Sequence, residues 1–191
     1  MKTGIFGGSF DPPHTAHVQI ALMAKEKFSL DRIIMVPTGQ PPHKETAGEI
    51  HHRYNMCRIL AEKHGFEISD YEINKNTYCY SFETLEHFGQ LYPDDEIYFI
   101  IGGDSIKNFG KWKNPGRILE LCKIIVASRD EGTVAAAADA EKIYNTKIYL
   151  LDNENIDVSS SEIRNIINGD GDAKGVEPEV LNYITENKLY R

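Results

Sequence analysis

The stretch Lys2-Thr3-Gly4-Ile5-Phe6-Gly7-Gly8-Ser9-Phe10-Asp11-Pro12-Pro13-His14-Thr15-Ala16-His17 decides the fold. Lys2 to Phe6 reads as a short strand. The paired glycines and paired prolines that follow cannot lie inside a helix, so the chain must turn there. From about Thr15 to Phe28 the period changes. Val18, Ala21, Leu22 and the apolar stem of Lys25 fall on one helical face. A strand, a glycine-rich turn and a helix therefore follow one another within the first 28 residues.

The same alternation continues outward. Arg32 to Val36 reads as a buried strand that ends at Pro37 and opens into a polar loop, Thr38 to Thr46. A helix is expected from about Ala47 to His64, with Met56, Cys57 and Leu60 as its apolar stripe. Phe66 to Ile73 reads as a strand and Ser81 to Leu91 as a helix. Glu96 to Ile101 is a clear strand candidate, followed by Gly102-Gly103-Asp104. Ile118 to Leu121 reads as a helical turn, Lys123 to Ala127 as a strand, Val134 to Ile143 as a helix and Lys147 to Leu150 as a strand. The tail from Ser160 is mostly helical. Apolar strands alternating with helices indicate a parallel sheet covered on both faces. The expected fold is α/β, a single doubly wound Rossmann-like parallel sheet with a helical C-terminal portion, in one domain spanning 1–191.

Composition narrows the function. With 41% hydrophobic and 26% charged residues the chain reads as a soluble globular protein. No signal-peptide pattern and no run of 18 apolar residues is present, so a cytoplasmic location and no membrane partner are expected. The formal charge of -8 argues against nonspecific nucleic-acid binding but leaves room for a local cationic pocket. Cys57, Cys79 and Cys122 are scattered and odd in number, which suggests neither a disulfide framework nor a cysteine-rich zinc site. A homo-oligomer stays open.

In a doubly wound sheet, ligands collect beyond the C-terminal strand ends. Segments 7–17, 37–44 and 102–112 each follow a strand candidate. In the first, glycines admit a phosphate close to the backbone, and the next helix offers N–H groups and the positive end of its dipole. His14 and His17, three residues apart, can both point from its first turn, where imidazole donors would stabilise charge on a transferring phosphoryl group. The pair could equally be capping histidines beside a turn. Metal binding has no convincing third ligand, so no protein metal site is assigned. The glycines belong to neither a Walker A loop nor a G-x-G-x-x-G fingerprint.

The run GGSFDPPHTAH resembles the (H/T)xGH-type signature of the nucleotidyltransferase α/β phosphodiesterase superfamily. The late run Val158-Ser159-Ser160-Ser161-Glu162-Ile163-Arg164 resembles its second signature, ISSTxIR. Ala16 stands where relatives usually carry glycine. Within that superfamily the chain most resembles the bacterial nicotinate-mononucleotide adenylyltransferases, over nearly its full length. Supporting runs are Val36 to Lys44, Tyr80 to Leu85 and Ile101 to Ser105, with Trp112, Arg129 and the closing Leu189-Tyr190. The family often has alanine at Gly103, and threonine at Ser81 and Ser161.

The resemblance implies roles. His14 and His17 would be catalytic, contacting ATP phosphates and steadying the transition state. Gly7, Gly8, Ser9, Phe10, Lys44, Ser160, Ser161 and Arg164 would bind ATP and its phosphates. Thr84, Asp104 and Trp112 would bind substrate: Trp112 by stacking on the nicotinate ring, Thr84 and nearby backbone near the pyridine carboxylate, Asp104 at ribose hydroxyls. On general grounds Lys44 could instead be a solvated loop lysine, Ser-Ser-Ser-Glu a helix cap, Trp112 a packing anchor and Asp104 a turn residue. The implied reaction joins the AMP part of ATP to nicotinate mononucleotide, giving nicotinate adenine dinucleotide and pyrophosphate in NAD biosynthesis, with Mg²⁺ carried on ATP. Competing readings are an adenylyltransferase for phosphopantetheine, a preference for nicotinamide mononucleotide, and a nonenzymatic nucleotide-binding regulator.

Overall fold

A computed structural model describes residues 1–40, 46–128, 130–152, 158–169, 171 and 173–191. Six strands form one sheet: β1 (Lys2–Gly8), β2 (Arg32–Pro37), β3 (Glu67–Ile68), β4 (Glu96–Gly102), β5 (Lys123–Ser128) and β6 (Ile148–Asp152). Their order is β3-β2-β1-β4-β5-β6, and every pairing is parallel. The doubly wound expectation holds. The chain leaves β1 toward one edge, returns beside β1 as β4 and continues to the other edge, so the order reverses between β1 and β4.

Side chains alternate between the faces because the strand period is two. Phe6, Ile33, Met35, Tyr98, Ile100 and Ile125 pack with α1 (Thr15–Phe28), α2 (Ile50–His64), α7 (Ser160–Asn168) and α8 (Pro178–Glu186). Ile5, Ile34, Val36, Phe99, Ile101 and Val126 pack on the other face, under α3 (Ser81–Leu91), α4 (Gly103–Lys107), α5 (Pro115–Leu121) and α6 (Glu131–Tyr144). Each layer has its own apolar cluster, and Ile5, Ile33, Ile100, Ile124, Ile125 and Val126 are fully buried. No helix among the described residues is long and apolar enough to cross a membrane.

Three elements differ from expectation. The strand expected over Phe66 to Ile73 is only Glu67–Ile68. Its alternation is interrupted by turn chemistry: the Ser69 hydroxyl accepts from the Tyr71 N–H, and the Asn74 N–H donates to the Asp70 carbonyl. Gly103–Lys107 is a short helix rather than a plain turn. The helical turn expected at Ile118 begins at Pro115, whose missing N–H costs nothing at a first helical position.

The end of the sheet remote from the ligand side is tied by Asp95. Its carboxylate accepts from the Thr3 hydroxyl at 2.7 Å and Arg32 Nη2 at 2.7 Å, and pairs with the N-terminal ammonium at 3.2 Å. The Thr3 hydrogen bond, with Arg32 and the terminal amine, pulls its pKa from 3.8 to about 2. A depressed carboxylate stabilises the fold above its ordinary range and loses that contribution as pH falls toward the folded value. Asp95→Asn is therefore expected to lower stability at pH 7 by about 1–3 kcal/mol. Urea unfolding should show the gap from wild type closing between pH 4 and 2; a gap independent of pH would contradict this origin.

Candidate active site

The switch point opens into a cleft of about 870 Å³. Its floor is the C-terminal ends of β1, β2, β4 and β5, represented by Gly7, Gly8, Val36, Ile101, Gly102 and Ala127. Ser9, His14, Ala16 and His17 line it from the first loop and α1, and Ser160, Ser161 and Arg164 from α7. Thr84 enters from α3, Asp104 from α4, and Trp112 and Lys113 from the loop before α5. Two segments more than 140 residues apart in sequence thus meet because β1 is central and α7 packs against its face.

The first loop is built to hold its two histidines. Phe10 has φ 46°, a left-handed conformation that costs a non-glycine residue on the order of 1 kcal/mol. Burial of its ring offsets that cost. The ring makes edge contacts with Phe6 at 5.4 Å and with His17 at 4.9 Å between centroids. Phe10 is thus a buried support under His17, and its side chain is not part of the cleft lining. Ala16, where relatives usually carry glycine, is itself buried, so its methyl is accommodated.

His14 is the N-cap of α1, and His17 lies one turn in. The His14 backbone N–H donates to His17 Nδ1 at 3.2 Å. A ring nitrogen that accepts carries no proton, so in this arrangement the His17 ring proton sits on Nε2. The two imidazoles lie 3.8 Å apart between centroids. Both rings belong to one rigid helix start.

The α7 residues bind the loop as well as facing the cleft. The Ser160 hydroxyl donates to the Pro12 carbonyl at 2.9 Å, and Arg164 Nη1 donates to the Asp11 carbonyl at 2.6 Å. Arg164 Nη2 donates to the Ser161 hydroxyl at 3.2 Å. The N-cap of α7 is Ser159, which accepts from the Glu162 N–H at 3.2 Å. Ser159 caps the helix, and all three serines of the run line the cleft.

A layer behind the loop escaped the sequence reading. Arg53, 1% exposed, donates to three carbonyls: Ser9 at 2.7 Å, Gly39 at 3.2 Å and Gly48 at 3.2 Å. Burial lowers its pKa, and the nearby Asp11 charge opposes that. The Asp11 carboxylate accepts from the Ala47 N–H at 2.6 Å, the Gly48 N–H at 2.9 Å and the Tyr190 hydroxyl at 2.7 Å. Burial, then the bond to Asp11, pushes the Tyr190 pKa up, so the phenol stays protonated as a donor. The only available signal was the position of Asp11 within the signature and of Tyr190 at the closing Leu-Tyr.

Trp112 is anchored in the packing and also exposed to the cleft. One part packs on Phe109 at 5.5 Å and Phe99 at 6.3 Å between centroids, and the residue also lines the cleft. Lys113 Nζ sits 4.2 Å from the centre of the Tyr80 ring, which brings the Trp112 loop beside the start of α3. Asp104 is exposed at the start of α4. At Gly103, where relatives often have alanine, a Cβ would lie 2.4 Å from Thr133 Oγ1, so Thr133 explains the glycine. Lys44 and Arg129 lie outside the described residues. Among the described residues, no group of three or more His, Cys, Asp or Glu is placed to hold a metal ion.

The cytidylyltransferase-like family model matches residues 5–166. A Clostridium tetani protein named "Probable nicotinate-nucleotide adenylyltransferase" is 40% identical, covering 100% of this chain and 99% of its own length. A protein of the same name from Clostridium acetobutylicum is also 40% identical, covering 99% and 98%. The chain belongs to this family of nucleotidyltransferases. It is an enzyme of the nicotinate-nucleotide adenylyltransferase group. The fold is shared with Plasmodium falciparum nicotinic acid mononucleotide adenylyltransferase complexed with NaAD, with a TM-score of 0.79 and 23% identity over 100% of this chain and 98% of that one. The family assignment and the cleft agree, since both signature runs of the family line the same opening.

Proposed function

We propose that the protein transfers the adenylyl group of ATP to nicotinate mononucleotide, releasing pyrophosphate and forming nicotinate adenine dinucleotide for NAD biosynthesis. The observation that carries this reading is the convergence of His14, His17, Ser160, Arg164 and Trp112 on one cleft. It combines an anion-binding corner with an aromatic face, as joining a nucleotide phosphate to a pyridine nucleotide requires. The names of the Clostridium relatives support the same acceptor.

A phosphate oxygen of the mononucleotide attacks the α-phosphorus of ATP. The bond from that phosphorus to the bridging oxygen breaks, and its electron pair leaves with pyrophosphate. The nucleophile is already anionic, so no strong general base and no covalent enzyme intermediate are needed. Alignment and charge stabilisation supply the catalysis. His17 Nε2–H and the His14 ring donate to the phosphates as charge shifts. Arg164 adds a permanent positive charge at the same corner. The family resemblance adds Lys44 as a further phosphate contact. Mg²⁺ enters as part of the magnesium-ATP substrate. In this reading residues 1–191 act as one nucleotidyltransferase domain in the cytoplasm, with neither nucleic acid nor membrane as partner.

Chromatographic detection of nicotinate adenine dinucleotide and pyrophosphate in equal amounts from magnesium-ATP and nicotinate mononucleotide tests the reaction. Absence of the dinucleotide overturns it. Trp112→Ala should raise the KM for the pyridine nucleotide about 10-fold, with the KM for ATP unchanged, because an aromatic stack is worth on the order of 1 kcal/mol. Steady-state titration of each substrate separates the two, and an equal rise in both would contradict the stacking role.

A further inference from the structure

Glu72 belongs to no signature run, yet it is buried, 7% exposed, and lines the cleft. Its carboxylate has two partners on different segments. Oε1 accepts from the Thr84 hydroxyl at 2.6 Å, and Oε2 accepts from the Gly39 N–H at 3.2 Å. Its own carbonyl accepts from Cys79 Sγ at 3.4 Å. The join is tight: a Cβ at Gly39 would stand 2.2 Å from the Glu72 carbonyl oxygen. The Gly39 carbonyl in turn accepts from Arg53. Glu72 therefore links the start of α3 to the turn after β2, and through Arg53 to the first loop.

Thr84 has a single hydroxyl proton, and Glu72 takes it. Toward the cleft the Thr84 oxygen then presents lone pairs alone. An acceptor carboxylate seated beside Thr84 cannot draw a hydrogen bond from that hydroxyl, and since the Glu83 and Thr84 N–H groups already donate to the Tyr80 carbonyl, the backbone donors for it at the start of α3 are those of Ser81 and Phe82. Their position depends on how α3 is seated. We propose that Glu72 is a positioning residue that sets the affinity for the pyridine nucleotide by seating Thr84 and the Gly39 turn in one arrangement. This rests on the acceptor proposed above. Burial pushes the Glu72 pKa up, while the Thr84 and Gly39 bonds and the charge of Lys75 draw it down. Lys75 is itself paired with Glu83 at 3.0 Å.

Glu72→Gln is nearly isosteric, but an amide has one oxygen and cannot accept from both donors in the present geometry. The test is steady-state kinetics of wild type, Glu72→Gln, Thr84→Val and the double variant, with each substrate varied in turn. Each single variant should raise the pyridine-nucleotide KM about 10-fold, as loss of one buried hydrogen bond implies, with kcat and the ATP KM within about twofold of wild type. The double variant should fall short of the product of the two single effects, because the Thr84–Glu72 bond is shared between them and cannot be lost twice. Equal rises in both KM values, a fall in kcat at unchanged KM, or multiplied effects in the double variant overturn the proposal. If Glu72→Gln does not fold, Thr84→Val reads the contact from its other end, and an unchanged acceptor KM there overturns it. Wild type is first assayed with nicotinate and nicotinamide mononucleotides. Failure of wild type with both would count against the proposed function, whereas failure confined to the variants' pattern counts against Glu72.

Discussion

His17→Ala lowers kcat on the order of 100-fold or more, with the KM values changed little. The expectation comes from geometry. The His14 N–H holds His17 Nδ1, so Nε2 is a fixed donor, and the Phe10 ring supports the imidazole from below. A donor held in place costs no reorganisation when charge develops on the phosphates, which places its benefit in the transition state rather than in substrate binding. Alanine removes the donor and opens space above Phe10. His17→Asn offers an amide in place of the imidazole and should recover part of the loss if a neutral donor is what matters. Single-turnover rates with saturating magnesium-ATP read the chemical step directly. Near-normal turnover in His17→Ala would remove the residue from the mechanism.

Arg53→Ala destabilises the protein by about 3–5 kcal/mol, the range for breaking a buried charged network. Three carbonyls, those of Ser9, Gly39 and Gly48, lose their donor at once. The Asp11 carboxylate also loses a nearby positive charge. Arg53→Met keeps most of the stem volume while removing the same donors, so it separates lost packing from lost hydrogen bonds. If the hydrogen bonds dominate, the two variants fall by similar amounts in urea denaturation at pH 7. A shift below about 1 kcal/mol in both would mean that the loops hold without the guanidinium. Among the folded molecules of either variant, activity should also fall, since Ser9 and the first loop are then less well fixed.

Patterns with a period were legible in the sequence. Solid apolar runs gave the central strands, and Val18 and Ala21 gave the buried face of α1, whereas Leu22, expected on the same face, is 43% exposed and Ala24 takes its place in the core. Both are local signals, and the parallel sheet follows from their alternation. The end of the strand after Phe66 was not legible, because Phe66-Glu67-Ile68 begins as a strand would and Ser69-Asp70, which stop it, are only two polar residues before further apolar ones. In the structure the turn prevails. For the cleft, the motif residues were found because glycines, histidines and serines announce phosphate chemistry. Phe10 was grouped with them, but the sequence does not say which way a ring points from a left-handed residue. Arg53 falls inside the expected helix Ala47 to His64 and Glu72 inside the expected strand Phe66 to Ile73, and neither stands out there as more than an ordinary charged residue. Only the packing of β1, β2 and α3 turns them inward, and nothing in a one-dimensional pattern marks a charge that will be buried with its partners. Lys44 is a different case, since it falls outside the described residues.

The most direct measurement is pyrophosphate release by the purified protein with magnesium-ATP, comparing kcat/KM for nicotinate mononucleotide, nicotinamide mononucleotide and 4′-phosphopantetheine. The cleft and the family predict a strong preference for nicotinate mononucleotide. Preference for either other acceptor would contradict the reading of the Thr84 and Trp112 walls while leaving the phosphate chemistry intact, and no release with any of them would contradict adenylyl transfer itself.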